Sequence, residues 1–102
     1  MRERIIKFKK SARKGKKYSA IVENRKTRKQ RIVHFGATGY QQYKDRTPIG
    51  LYKSRDHGDR RRMRNYFSRH SGTQTRKLAI EKEKRKSGFL YNPKILSHEY
   101  LW

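Results

Sequence analysis

The stretch His34–His70, HFGATGYQQYKDRTPIGLYKSRDHGDRRRMRNYFSRH, holds four of the chain's seven Gly, one of its two Pro, four of its seven Tyr and three of its four His. Residues with special backbone freedom and large rings are therefore gathered into about a third of the chain, which makes it the expected folded centre. His34 and Phe35 end one strand pattern. Gly36 and Gly39 bracket a turn, where glycine suits positive φ or the close approach of another group. Tyr40 and Tyr43, three residues apart, predict a short helical turn with both rings on one face before Pro48 interrupts it.

The second half of the stretch predicts a helix. Asp56 is read as the cap of its free N–H groups, and Asp59 as a first-turn carboxylate facing the positive end of the dipole. Met63, Tyr66, Phe67 and His70 follow at i, i+3, i+4 and i+7, one continuous face. Arg60, Arg61, Arg62, Arg64 and Arg69 cover much of the rest, so the aromatic stripe is expected to lie on a sheet with arginines outward. Ser71 and Gly72 stop the helix.

Working back toward the N-terminus, Gln30–Phe35 alternates Arg31, Val33 and Phe35 against Ile32 and His34, a strand pattern. Lys17–Glu23 places Tyr18, Ala20 and Val22 on one face, and Asn24–Thr27 is the turn that pairs the two as a hairpin. Ile5, Ile6 and Phe8 predict one more short strand, with Ile6 and Phe8 on the same face. Toward the C-terminus, Thr75–Lys86 reads as a second helix or a charged linker. Gly88, Asn92 and Pro93 break the chain, and Leu96, Tyr100, Leu101 and Trp102 belong to an apolar tail that must dock. The expected class is α+β: a small antiparallel two- or three-stranded meander, then short helices, then an extended C-terminal tail. The expected division is a basic extension (1–16), a folded core (17–72), and a charged connection with an aromatic docking tail (73–102).

Thirty Lys and Arg against eight Asp and Glu leave a net charge of +22, with only 31% hydrophobic residues. A domain this small buries a modest core, so its self-repulsion is best relieved by an acidic partner. The absence of Cys removes disulfides and thiolate metal sites. No apolar run approaches the roughly 20 residues of a membrane span, and residues 1–17 lack the apolar centre of a secretory signal; the chain reads as soluble and unprocessed.

Two chemistries compete at the titratable residues. A metal site would draw on His34, His57, His70 and His98, but their spacing lacks the close pairs zinc sites favour. A metal-dependent nuclease could use Asp56, His57 and Asp59 with the neighbouring arginines, yet capping explains both aspartates without catalysis. No phosphate-cradling glycine loop or nucleophile elbow is present. The reading is a non-enzyme with no catalytic or metal residues, no cofactor and no small-molecule substrate. Its strongest signal is the basic clusters Lys7–Lys17, Arg25–Arg31 and Arg60–Arg64, in which Lys14, Lys16, Lys17, Arg28 and Arg31 join the helix arginines as partner- or phosphate-binding candidates.

One combination of residues is familiar. His34-Phe35-Gly36-Ala37-x-Gly39-Tyr40, then Tyr43-Lys44-Asp45, then Asp56-x-x-Asp59 with arginines, Tyr66 and Arg69-His70, and finally Leu96-Ser97-His98-x-Tyr100-Leu101-Trp102, resembles a small basic family of unknown function from nucleocytoplasmic large DNA viruses, of the iridovirus-like or marseillevirus-like kind. Thr73–Pro93 departs from that pattern, and the basic extension lies outside it. The resemblance implies structural roles for the motif residues, with Trp102 as an anchor, and a place in the virion after synthesis in host cytoplasm. It fits a minor capsid (cement-type) protein contacting acidic surfaces of major or minor capsid proteins; the alternative is a virion nucleic-acid-binding protein, indifferent to sequence, that holds DNA.

Overall fold

Period-two alternation lets a segment offer one apolar face to a core, and the two patterned segments do so. The computed structural model describes residues 1–102. Strands β1 (Glu3–Lys10), β2 (Lys16–Asn24) and β3 (Gln30–Ala37) form an antiparallel meander in that order. Tyr18, Ala20, Val22, Val33 and Phe35 point together into one core. The β2–β3 turn is built by Asn24, whose Oδ1 accepts from the N–H groups of Lys26 (2.9 Å) and Thr27 (3.0 Å).

Ile6 and Phe8 do not share a face. The pairing of β1 with β2 slips between Ile5 and Lys7, a bulge that gives Ile6 no partner and re-aims the side chains beyond it. Ile5 and Phe8 therefore pack on the core, and Ile6 is left exposed. On that outer face Ile21 stands opposite Ile32, which is also exposed.

Three α-helices follow a single 3-10 turn at Lys53–Arg55: α1 (Arg60–Ser71), α2 (Arg76–Lys86) and α3 (Pro93–Tyr100). No helical turn forms at Tyr40–Lys44, where Tyr40 is exposed and Tyr43 buried. The cap of α1 is Asp59, which accepts from the N–H groups of Arg61 (2.9 Å) and Arg62 (3.2 Å); Asp56 lies before the helix and bonds elsewhere. Gly72 closes α1 in the left-handed conformation at φ 70°.

The tail is not extended. Asn92 accepts from the N–H of Ile95 (2.8 Å), and Pro93, with φ preset for a helix, occupies the first position; the Asn-Pro pair that reads as a break starts α3. It is α3, not α1, that lies on the sheet, inserting Leu96 and Leu101 among Tyr18, Ala20, Val22, Val33 and Phe35. The stripe of α1 packs behind it: Tyr66 and Phe67 meet Ala79 of α2 and the ring of His98 of α3, with Met63 and Trp102 at the margin. His70, at the end of the stripe, is exposed but lies 4.5 Å from the Tyr66 ring. Trp102 touches both clusters. Ile5 and Phe8 of β1 and Leu96 and Leu101 of the tail pack with the strands of 17–72 in one core.

Candidate polyanion-binding surface and the polar clamp beneath it

The loop between Ala37 and Arg60 has little regular structure, and a buried polar network holds it to the sheet. Asp45, 6% exposed, is the hub. Its Oδ1 accepts from the N–H (2.9 Å) and hydroxyl (2.6 Å) of Thr47, and its Oδ2 from the N–H of Tyr52 (3.1 Å) and the hydroxyl of Tyr18. The Tyr18 oxygen in turn accepts from the N–H of Leu51 (2.7 Å). Burial alone would raise the Asp45 pKa, but the bonds from Thr47, Tyr18 and Tyr52 together outweigh it and hold the carboxyl below its ordinary value. Burial and the Asp45 bond push the Tyr18 phenol up to about 12.

Asp56 continues this network. Its Oδ1 accepts from the Asp45 N–H (2.8 Å) and from Gln42 Nε2 (2.6 Å), and Gln42 Nε2 also donates to the Tyr52 carbonyl (2.8 Å). Gln42 Oε1 accepts from Lys17 Nζ, which also donates to the Tyr40 carbonyl (2.7 Å). Lys17, 1% exposed, is therefore no surface cation. Burial, and then repulsion from Arg55, lower its pKa to about 8.

A second buried chain runs from Glu83 through Ser71 and His98 to Tyr66. Ser71 Oγ donates to Glu83 (2.9 Å), leaving its lone pairs for the Nε2 of His98 (2.8 Å), while the Nδ1 of His98 meets the Tyr66 hydroxyl (3.0 Å). These bonds assign His98 the neutral tautomer with Nε2 protonated and Nδ1 accepting. Burial drives its pKa down to about 4 and raises that of Tyr66.

The histidines considered as metal ligands are dispersed: His34 Nδ1 meets Ser11 Oγ (2.7 Å), His57 Nδ1 accepts from the Asp59 N–H (2.9 Å), and His98 is sealed in the helical layer. Gly36 meets the expectation for glycine, with φ 79° and an imagined Cβ only 2.9 Å from Leu101 Cδ1 and 3.3 Å from the Lys17 side chain. Gly39 has neither constraint.

The basic candidates divide between spent and free. Arg31 is held by Glu3 in two bonds of 2.7 Å, which depress the Glu3 pKa, and also donates to the Tyr91 carbonyl. Arg28 lies 3.6 Å from Glu23, which Arg4 also binds at 2.8 Å. These pairs occupy the β2–β3 turn end of the sheet. Lys16 pairs with Ala37 at the opposite end of β2, roughly 25 Å away at the rise of a strand. Lys14 is exposed in the β1–β2 loop, and Arg60, Arg61 and Arg64 are exposed on α1. Arg62, bonded to Gln41 Oε1 (3.0 Å), and Arg69 face a cleft together with Lys16.

Seven of the eight acidic residues are engaged by the chain's own groups: Glu3, Glu23, Glu83 and Glu99 in ion pairs, Asp45 and Asp56 in the clamp, and the exposed Asp59 at the α1 cap. Glu81 alone has no such partner. Only five of the thirty Lys and Arg side chains stand within 4.0 Å of a carboxylate. The net charge is plain in the sequence, but not that nearly all of its negative part is engaged by the chain's own donors and cations.

The fold and surface define a small α+β protein with an internally pinned loop and an exterior rich in unpaired Lys and Arg. Residues 6–54, slightly under half of the chain, match the Family of unknown function (DUF5754). The match spans the sheet from Ile6 onward and most of the clamp, including Lys17, Tyr18, Gln42, Asp45 and Thr47, and ends before Asp56 and the α-helices. No curated protein and no solved structure matches the chain. No helix is long and apolar enough to cross a membrane.

Proposed function

We propose that the protein is a non-enzymatic structural component of a large DNA virus particle: a minor capsid protein of the cement type that bridges larger capsid proteins through basic and aromatic contacts. The observation that carries this reading is the segregation of charge. With the carboxylates occupied by the protein's own N–H, hydroxyl and cationic groups, the outer surface has few anions of its own to neutralise it, so an acidic neighbour relieves the repulsion. Condensing a genome needs little beyond flexible positive charge. This chain instead has a pinned loop and two docked ends, features useful to a part that must hold a shape between neighbours. The viral setting rests on the resemblance of the His34–His70 motif and the Leu96–Trp102 tail.

Fractionating purified particles tests the reading. The protein is expected to remain with shells emptied of genome, and its departure with the DNA would defeat the proposal. Virion nucleic-acid binding is the second reading, favoured by exposed Arg60, Arg61 and Arg64 on one helix. A phosphate binder should lose duplex affinity steeply and linearly in log[salt]; a flat response removes that alternative.

A further inference from the structure

A cleft of about 790 Å³ opens where the Lys16–Ala37 end of the sheet meets α1 and α3. Lys16, Arg62, Arg69 and Lys94 line it, and the buried Lys17 contributes to its wall, but no Asp or Glu does. Its apolar lining comes from Ala37, Pro93, Leu101 and the rings of Tyr66 and Trp102. Gly36 keeps the wall open at a point where a side chain would strike Leu101.

We propose that this cleft seats a short acidic peptide segment of a neighbouring shell protein, its carboxylates on Lys16, Arg62 and Arg69 and an apolar side chain against Ala37, Pro93 and Trp102. The proposal rests on the shell reading above and deepens it by naming the contact. Three observations favour this occupant. The cationic lining gives charge complementarity, which steers and orients an acidic partner. The volume is that of a small-ligand site, too confined for a double helix. Single-stranded nucleic acid binds by stacking bases on open aromatic faces, and those faces are largely taken. Trp102 lies parallel to Tyr66 at 4.1 Å and 3°, with His57 5.3 Å away, and Tyr66 is itself buried. Tyr40, 73% exposed, and His70, one of whose faces meets the Tyr66 ring, are the exposed rings in the lining.

The test uses the full-length chain and a fluorescein-labelled peptide of sequence EDELFEDE, with a labelled twelve-residue oligothymidine in parallel. Lys16→Ala/Arg69→Ala removes two charges from the cleft, and Arg60→Ala/Arg64→Ala removes two from the outside of α1, so both variants change net charge equally. The cleft variant should weaken peptide binding about tenfold, as loss of two interfacial charge contacts can, while the control stays within about twofold. Equal loss in both variants overturns the proposal, because binding is then diffuse. Tighter binding of oligothymidine that is lost selectively in the cleft variant overturns it in favour of nucleic acid. Should a variant misfold, amide and indole shifts of the parent protein decide: changes centred on Tyr40, Arg69 and Trp102 support the site, and changes spread over Lys7–Lys10 and Arg25–Lys29 refute it. Retention of the cleft variant on emptied shells at the parent level would sink the cleft and spare the shell reading; selective peptide binding by a protein that leaves with DNA would do the reverse.

Discussion

Asp45→Ala is the most informative single change to the fold. It removes the acceptor for four donors, the Thr47 N–H and hydroxyl, the Tyr52 N–H and the Tyr18 hydroxyl, at a site 6% exposed. A hydrogen bond to a charged group contributes about 1.5–3 kcal/mol, but the four share one carboxylate and do not add. The Tyr18 hydroxyl can also rotate, and water can enter the loop, so the expected loss is about 3–5 kcal/mol, the range for breaking a buried charged network. Against a total stability of about 5–15 kcal/mol for a domain of this size, that is a large share. Urea unfolding followed by the single Trp102 and by far-ultraviolet circular dichroism measures it. Asp45→Asn, which keeps one acceptor oxygen, should lose roughly half as much. The carboxyl's pKa is lowered in the folded state, so its contribution is present above the ordinary carboxylate range, about 3.9, and disappears as pH falls through the folded value. A loss below about 1 kcal/mol in Asp45→Ala, comparable to one ordinary hydrogen bond, would refute the clamp as the element that pins the loop.

Gly36→Ala should cost about 1–3 kcal/mol from its left-handed backbone and the clash with Leu101, whereas Gly39→Ala should be near neutral by thermal melting. Asp56→Ala should destabilise more than Asp59→Ala, because the first opens the buried network and the second removes only an exposed cap; equal effects would contradict the assignment. His98 must stay neutral in its buried chain, with a folded pKa of about 4 against an unfolded value near 6.5. Its stabilising contribution is complete above about pH 6.5 and falls away as pH drops through about 4, by roughly 2–3 kcal/mol after allowing for screening; melts across that window should flatten in His98→Gln. Leu96→Ala, at the centre of the α3–sheet contact, should cost about 2–5 kcal/mol in urea unfolding.

The parts of the fold that were legible in the sequence are those set by local period. Tyr18, Ala20 and Val22, then Val33 and Phe35, alternate strictly, and Met63, Tyr66 and Phe67 recur at helical spacing, so both faces could be read without knowing what covers them. What covers them could not. The tail's helix is obscured by Asn92-Pro93, which serves equally as a break or as a cap and first turn. In α2 the buried set is Ala79, Ile80 and Glu83, and a buried carboxylate does not register as an apolar stripe. The Ile6 bulge has no local marker.

At the site the same limit holds. Lys17 looks like one more member of a basic run, and only its pairing with Gln42, twenty-five residues on, takes it out of solvent. Asp56 reads as the cap of the nearest helix because its partners, Gln42 and the Asp45 N–H, are distant in sequence. The Asp45-x-Thr47-Pro48 spacing, a familiar self-bonding turn, is the one available signal for the clamp. Lys94 escapes notice as a cleft residue because nothing in the tail's sequence shows which side of α3 meets α1.

The central claim is that an exterior with few free carboxylates of its own rests on the carboxylates of a neighbouring shell protein. Zero-length carbodiimide coupling in intact particles, followed by mass spectrometry, tests it at the level of residue pairs, since it joins only amines and carboxylates already in contact. Crosslinks from Lys14, Lys16 and Lys94 to Asp or Glu of a capsid protein are predicted. Their absence, together with photocrosslinking of the same surface to packaged DNA, would contradict the account.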